Sequence, residues 1–184
     1  MPIPEKLILI YTGNGKGKTT AALGLALRSL RDNKKVILVQ FIKSQNGSGE
    51  MGLKKFLPQL SIRCFGNGFV NQKLRNKEIK KLKGQNKKAL NFIEKIIKFN
   101  KYNIIILDEI FVAYNFKLIK LSEIINIIKL MNKYVALCGE QRVLVLTGRG
   151  CPKSLYKFAD LITEMKEIKH PYKKGILAIK GVDY

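Results

Sequence analysis

The stretch from Ile8 to Ala22, ILIYTGNGKGKTTAA, constrains this 184-residue chain more than any other part of it. An apolar run predicts a strand. Three glycines at alternate positions (Gly13, Gly15 and Gly17) predict a turn that side chains would obstruct, and Lys18-Thr19-Thr20 opens an Ala/Leu-rich helix. Strand, glycine turn, Lys-Thr and helix form the layout of a phosphate-cradling P-loop. Backbone N–H groups of such a turn converge on phosphate oxygens, and the helix aims its positive dipole end at the same oxygens. Lys18 then neutralises phosphate charge, and the Thr19 hydroxyl is a ligand for Mg2+. The general motif places glycine where this chain has Thr12. The flanking strand and helix carry the assignment in its stead.

Strand and helix patterns alternate along the chain. This predicts an α/β fold of the P-loop NTPase (RecA-like) kind, a mostly parallel sheet flanked by helices, in a single domain over 1–184. Strands are expected at Leu7–Tyr11, Val36–Ile42, around Ile62–Phe65, at Asn103–Ile110, at Arg142–Thr147, near Leu161–Met165 and, in the tail, near Ile176–Ile179. Helices are expected at Lys18–Arg31, across the basic stretch Lys73 to Lys101, at about Ser122 to Met131 and near Ser154–Phe158. By the crevice rule, ligands bind beyond the carboxyl ends of parallel strands. The loops Ser44–Gly52, Gly66–Asn71 and Gly148–Gly150 should therefore surround a nucleotide.

The formal net charge of +22 invites a nucleic-acid reading, yet the 35 basic residues comprise 29 Lys and only 6 Arg. Lys, Ile and Asn together make up 65 of the residues, a bias that A/T-rich codons produce without any acidic partner. Phosphate readers favour the bidentate Arg fork. The Lys73 to Lys101 stretch holds 11 basic and 2 acidic residues, but its apolar positions fit a helix with one buried face and one solvated lysine face. Nucleic acid is accordingly not the expected partner. No apolar run is long enough for a membrane helix, and the first residues lack the order of a secretory signal. Cys64, Cys138 and Cys151 are widely spaced, which argues for small buried apolar residues in a reducing cytoplasm rather than a disulfide framework or zinc site.

Ile104-Ile105-Ile106-Leu107-Asp108-Glu109 reads as a strand ending in two acids. In P-loop proteins such a strand is expected beside the P-loop strand, presenting a carboxylate to the metal shell. Asp108 ligates Mg2+ directly or through water, and Glu109 is either a metal ligand or a general base. Arg149 and Arg28 are candidates for triphosphate contacts. Glu50, an acid in a Gly/Ser loop, and Phe69, an aromatic between Gly and Val in a loop, are candidates of loop type. His170, the one histidine, sits before Pro171 and reads as a turn residue. A nucleic-acid-binding RecA-like ATPase using the basic helix, and a small-molecule kinase, are the competing readings.

Taken together these residues resemble the P-loop corrinoid adenosyltransferases. The resemblance rests on Thr12 through Ala22, Val39-Gln40-Phe41-Ile42-Lys43, Gly49-Glu50, Gly68-Phe69, Ile106-Leu107-Asp108-Glu109, Thr147-Gly148-Arg149-Gly150-Cys151, Ala159-Asp160-Leu161 and the tail from His170 to Tyr184. That family's P-loop carries Thr at the position of Thr12. The resemblance implies that Co(I) of a reduced corrinoid attacks the 5′ carbon of ATP and that inorganic triphosphate leaves. It implies nucleotide contacts from Gly13, Asn14, Gly15, Lys16, Gly17, Lys18, Thr19, Thr20, Arg28, Glu50 and Arg149. Thr19 and Glu109 are the implied metal ligands, with Asp108 in or behind that shell. Lys18, Glu109 and Phe69 are the implied catalytic residues, Phe69 packing near the corrin ring and helping to displace the lower axial ligand. A reducing protein such as a flavodoxin and a homodimeric state are implied as well. The family's Gly-Phe is often followed by Thr-Trp, whereas Val70-Asn71 stand here and the chain has no Trp. The chain is also expected to lack the N-terminal extension with which many relatives cover the site.

Overall fold

The continuous apolar runs arise because each central strand is covered on both faces. The computed structural model describes residues 6–44, 49–68, 75–99, 101–138, 141–177, 179 and 181. In β4 (Ile104–Asp108), Ile104 and Ile106 pack on the side of helix α1 (Lys18–Arg31), while Ile105 and Leu107 pack on the side of α2 (Asn76–Lys98) and α4 (Leu121–Cys138). The same alternation divides β1 (Lys6–Thr12) and β2 (Val36–Gln40) between the two layers. Each fully buried Ile or Leu contributes about 1.5–3 kcal/mol. A one-residue slip would exchange the two apolar sets, so the register is strongly specified.

With β3 (Leu60–Cys64), β5 (Arg142–Thr147) and β6 (Leu161–Glu164), the strands form one parallel sheet in the order β3-β2-β4-β5-β1-β6. Parallel pairing brings the carboxyl ends of Thr12, Gln40, Cys64, Asp108 and Thr147 to one edge. Helix α1 buries Ala22, Ala26 and Leu30 against the sheet. Helix α2 buries Leu82, Asn86, Ala89, Leu90, Ile93, Ile96 and Ile97 and turns its lysines to solvent, as its periodicity predicts. Among the described residues no helix is long and apolar enough to cross a membrane.

Four expectations change. The strand read as Asn103–Ile110 ends at Asp108, because Glu109 takes a left-handed conformation (φ 59°) and Ile110–Asn115 forms a short helix, α3. The Gly/Ser loop continues into a 3-10 helix, Gly49–Lys55, and a 3-10 helix also occupies Lys153–Phe158. No strand is found at Ile176, Leu177 or Ile179, which are 50%, 76% and 54% exposed. Finally, the strand bearing Asp108 does not adjoin the P-loop strand: β5 lies between β4 and β1.

Candidate functional site

The glycines of the turn answer first to the protein. Gly13 and Gly17 have φ of 99° and 110°, open to glycine at little cost. A Cβ on Gly13 would overlap the Met165 carbonyl oxygen, and one on Gly15 would lie 2.8 Å from it. The Gly15 N–H donates to Met165 O (2.7 Å), while the Met165 N–H donates to Thr12 O (2.8 Å). The amide of Gly15 is thus engaged by the segment after β6, so the expectation that all three alternate glycines turn their amides to phosphate is corrected at this position. Thr12 serves a different contact. It is 4% exposed, and its hydroxyl accepts from the Cys151 N–H (3.2 Å). Threonine in place of glycine thereby ties the P-loop strand to the Gly148–Cys151 loop.

Helix α1 starts directly after the turn, with Gly17 as its N-cap, no side-chain cap and no acid in its first turn. Its amide dipole end is therefore left to an external anion. The Lys18 Nζ donates to Gly13 O (2.8 Å) and Gly15 O (2.6 Å), which arches the side chain over the loop. Burial lowers the Lys18 pKa and the Arg149 charge adds to this, against the opposing pull of Glu109 and Asp108. Asn14, Lys16 and Thr20 lie around the same turn, Asn14 and Thr20 exposed and Lys16 toward solvent.

Asp108 is the hub of the edge. Its Oδ1 accepts from the hydroxyls of Thr19 (2.8 Å) and Thr147 (2.7 Å), and its Oδ2 accepts from Gln40 Nε2 (3.1 Å). Its fully buried carboxylate thus joins α1, β2, β4 and β5. Thr147, on the intervening strand β5, spans the gap that separates β4 from the P-loop strand, and its Oγ1 accepts from the Glu109 N–H (3.0 Å). Cys64 donates to Gln40 Oε1 (3.2 Å) and extends the network to β3. The expectation of small buried apolar cysteines is corrected here: Cys64 and Cys151 are half-buried and Cys64 is hydrogen-bonded, while the side chain of Cys138 lies outside the described ones.

Glu109 sits at the start of α3 with a buried Oε2 that has no hydrogen-bond partner among the described residues. Burial and then the Asp108 charge raise its pKa, against Lys18, Lys43 and Arg149. An unpartnered buried carboxylate oxygen on the residue after Asp108, which itself holds the Thr19 hydroxyl, suits a hard, oxygen-seeking cation. Lys43, after β2, pairs with Glu50 Oε1 at 2.8 Å. Burial opposes its charge, but the Glu50 hydrogen bond and the charges of Asp108, Glu50 and Glu109 together raise its pKa.

The structure therefore gathers the loop residues 13–17 with Lys18, Thr19, Asp108 and Glu109, and sets Arg149 within electrostatic reach of Lys18 and Glu109. Asn115 Nδ2 holds the Arg149 loop through the carbonyls of Arg149 (2.9 Å) and Gly150 (3.3 Å). Arg28 is not brought in. It is exposed ten residues beyond Lys18 on α1, about 15 Å along the helix axis. Phe69 lies outside the described residues. Sequence reasoning gave no site role to Gln40, Lys43, Thr147 or Met165. Gln40, Lys43 and Thr147 lie within stretches that carry the family resemblance, but what each one touches shows only in three dimensions.

The family model described as ATP:corrinoid adenosyltransferase BtuR/CobO/CobP matches residues 4–184. A corrinoid adenosyltransferase of Sinorhizobium sp is 32% identical, with 97% of this chain and 80% of the relative covered. The Escherichia coli (strain K12) corrinoid adenosyltransferase is 31% identical, with 97% and 85% covered. Among solved structures, the flagellar accessory protein FlaH from Methanocaldococcus jannaschii aligns with a TM-score of 0.55 at 14% identity, over 87% of this chain and 70% of that one, a likeness of fold alone.

Proposed function

The chain belongs to the ATP:corrinoid adenosyltransferase BtuR/CobO/CobP family, and from that premise we propose how its residues carry the 5′-deoxyadenosyl group of ATP to the Co(I) of a corrinoid with release of triphosphate. The observation that supports this assignment of roles is the convergence of Lys18, the uncapped α1 terminus and the orphaned Glu109 oxygen at one sheet edge. In this reading the amides of the 13–17 turn other than that of Gly15, which Met165 holds, and those of the first turn of α1 grip the polyphosphate. Lys18 leaves the two loop carbonyls to meet phosphate oxygens. Arg149 adds charge at the open side.

Thr19 and Glu109 would hold Mg2+, which neutralises charge on the departing triphosphate. Asp108 acts from behind, because both its oxygens already accept hydrogen bonds. It orients the Thr19 hydroxyl and leaves direct ligation to Glu109. Asn14, Lys16 and Thr20 line the outer wall of the nucleotide site. Arg28, remote within one chain, would need the partner copy of a homodimer to serve it. Phe69 is the proposed aromatic against the corrin face. A reduced flavodoxin-like protein in the cytoplasm would maintain the cobalt as Co(I), and the whole chain would act as one domain.

The test is a product assay. With ATP, Mg2+ and a chemically reduced corrinoid, the protein should yield a light-sensitive cobalt–carbon bond and inorganic triphosphate in equal amounts. Orthophosphate without alkylcorrinoid would refute the reaction. Phe69→Ala should keep ATP affinity and lose activity that starts from Co(II) corrinoid; an equal loss of ATP affinity would remove Phe69 from the corrin side.

A further inference from the structure

Lys43 lies on the β2 side of the acidic pair, as Lys18 lies on the β1 side, since the sheet runs β2-β4-β5-β1 at this edge. Its main chain is fixed on both sides. The Phe41 N–H donates to Asp108 O (3.1 Å), the Gly66 N–H to Lys43 O (3.2 Å) and the Gly68 N–H to Ile42 O (3.1 Å). A Cβ on Gly66 would collide with Ile42 O, so residue 66 must be glycine for the two loops to meet. Glu50 then fixes the ammonium at 2.8 Å, with the Lys43 side chain 30% exposed and that of Glu50 14% exposed. A partly exposed pair of this kind adds little to folding, which gives little structural reason for a clamped lysine at a ligand edge. A triphosphate, by contrast, carries more negative charge than Lys18 and one divalent cation supply.

We propose that Lys43 is a further polyphosphate-binding cation of this site, positioned by Glu50, and that it receives the departing triphosphate across the metal site from Lys18. Glu50, expected from the sequence to touch the nucleotide itself, acts through Lys43 in this assignment. The proposal rests on the adenosyl-transfer reading above. Its direction is supported by the raised Lys43 pKa, which keeps the ammonium charged in the field of Asp108 and Glu109.

The experiment titrates inorganic tripolyphosphate with Mg2+ into wild type, Lys18→Ala, Lys43→Gln and Lys43→Arg by calorimetry, with melting temperature recorded for each. Lys43→Gln retains a donor for Glu50 and loses the charge. It should bind about tenfold more weakly, while Lys43→Arg stays within about threefold of wild type. Lys43→Gln binding like wild type, while Lys18→Ala loses binding, overturns the Lys43 assignment and leaves the adenosyl-transfer reading standing. Wild type failing to bind tripolyphosphate overturns both. Acetic anhydride labelling of wild type gives a measure that needs no variant: Mg2+-tripolyphosphate should slow acetylation of Lys43 and spare exposed Lys98. Unchanged Lys43 labelling at saturating tripolyphosphate likewise overturns the assignment.

Discussion

Thr147→Val is the sharpest perturbation of the edge, because valine keeps the shape and removes the hydroxyl. Two interactions, one buried and one part-buried, vanish together: the 2.7 Å bond donated to Asp108 Oδ1 and the 3.0 Å bond accepted from the Glu109 N–H. The first is a hydrogen bond to a charged group, worth about 1.5–3 kcal/mol, and the second strands a donor at a cost of about 1–3 kcal/mol. Allowing for relaxation, the loss should be about 3–5 kcal/mol, a large fraction of the ~5–15 kcal/mol available to a typical domain. For a chain of this size that corresponds to a fall in melting temperature of about 6–20 °C. Urea unfolding with a common m-value measures it. Thr147→Ser, which keeps Oγ and drops one methyl, should lose only about 1 kcal/mol. A Val variant within about 1 kcal/mol of wild type, or a Ser variant as damaged as Val, would refute the claim that this hydroxyl joins β4 to β5.

The glycine argument predicts that Gly15→Ala costs about 1–3 kcal/mol through overpacking, since its Cβ would meet Met165 and Lys166 at 2.8 Å. Gly24→Ala on α1, with nothing within 4 Å of its Cβ, should be neutral or stabilising by up to ~1 kcal/mol; equal urea midpoints for the two would contradict the close approach. In metal-free protein, Glu109 has a folded-state pKa raised above its ordinary 4.5 by burial and by Asp108. Its protonated form is the one that folding favours, so stability is full below pH 4.5 and declines as pH climbs through the raised value. Wild type should therefore lose ground to Glu109→Gln as pH rises, and parallel stability–pH curves would dispose of the idea. Burial pushes the Cys151 thiol up to about 12, leaving roughly one ten-thousandth as thiolate at pH 8. Iodoacetamide should alkylate it far more slowly in native protein than in urea, and equal rates by mass spectrometry would count against that burial.

What could be read from the chain was whatever repeats locally. Strands buried on two faces appear as runs such as Ile104 to Leu107, and the lysine face of α2 appears as helical periodicity. The P-loop shows itself through glycines and Lys-Thr. Hidden were the features that depend on contact between distant residues. Met165 explains Gly13 and Gly15 yet lies at the far side of the chain, and Thr147 looks like any strand-end threonine until Asp108 is placed beside it. The left-handed turn at Glu109 has no local signature, so the strand was extended into α3. The tail is apolar at Ile176, Leu177 and Ile179 in a strand-like manner, but a short apolar run cannot disclose whether a sheet will receive it. Arg28 is pointed to by its charge and by the family resemblance, yet within one chain helix geometry carries it away from the loop.

Strand β1, near the start of the chain, is flanked by β5 and β6, which lie near its end. A nascent polypeptide emerging from the ribosome consequently holds its glycine turn without a floor until Leu161–Met165 have been translated. Neither the Gly15–Met165 bond nor the Thr12–Cys151 bond can close before its own distant partner has been made. Closure of the glycine turn is thereby deferred until β6 has been made, and a chain arrested short of β6 would lack the floor of that turn.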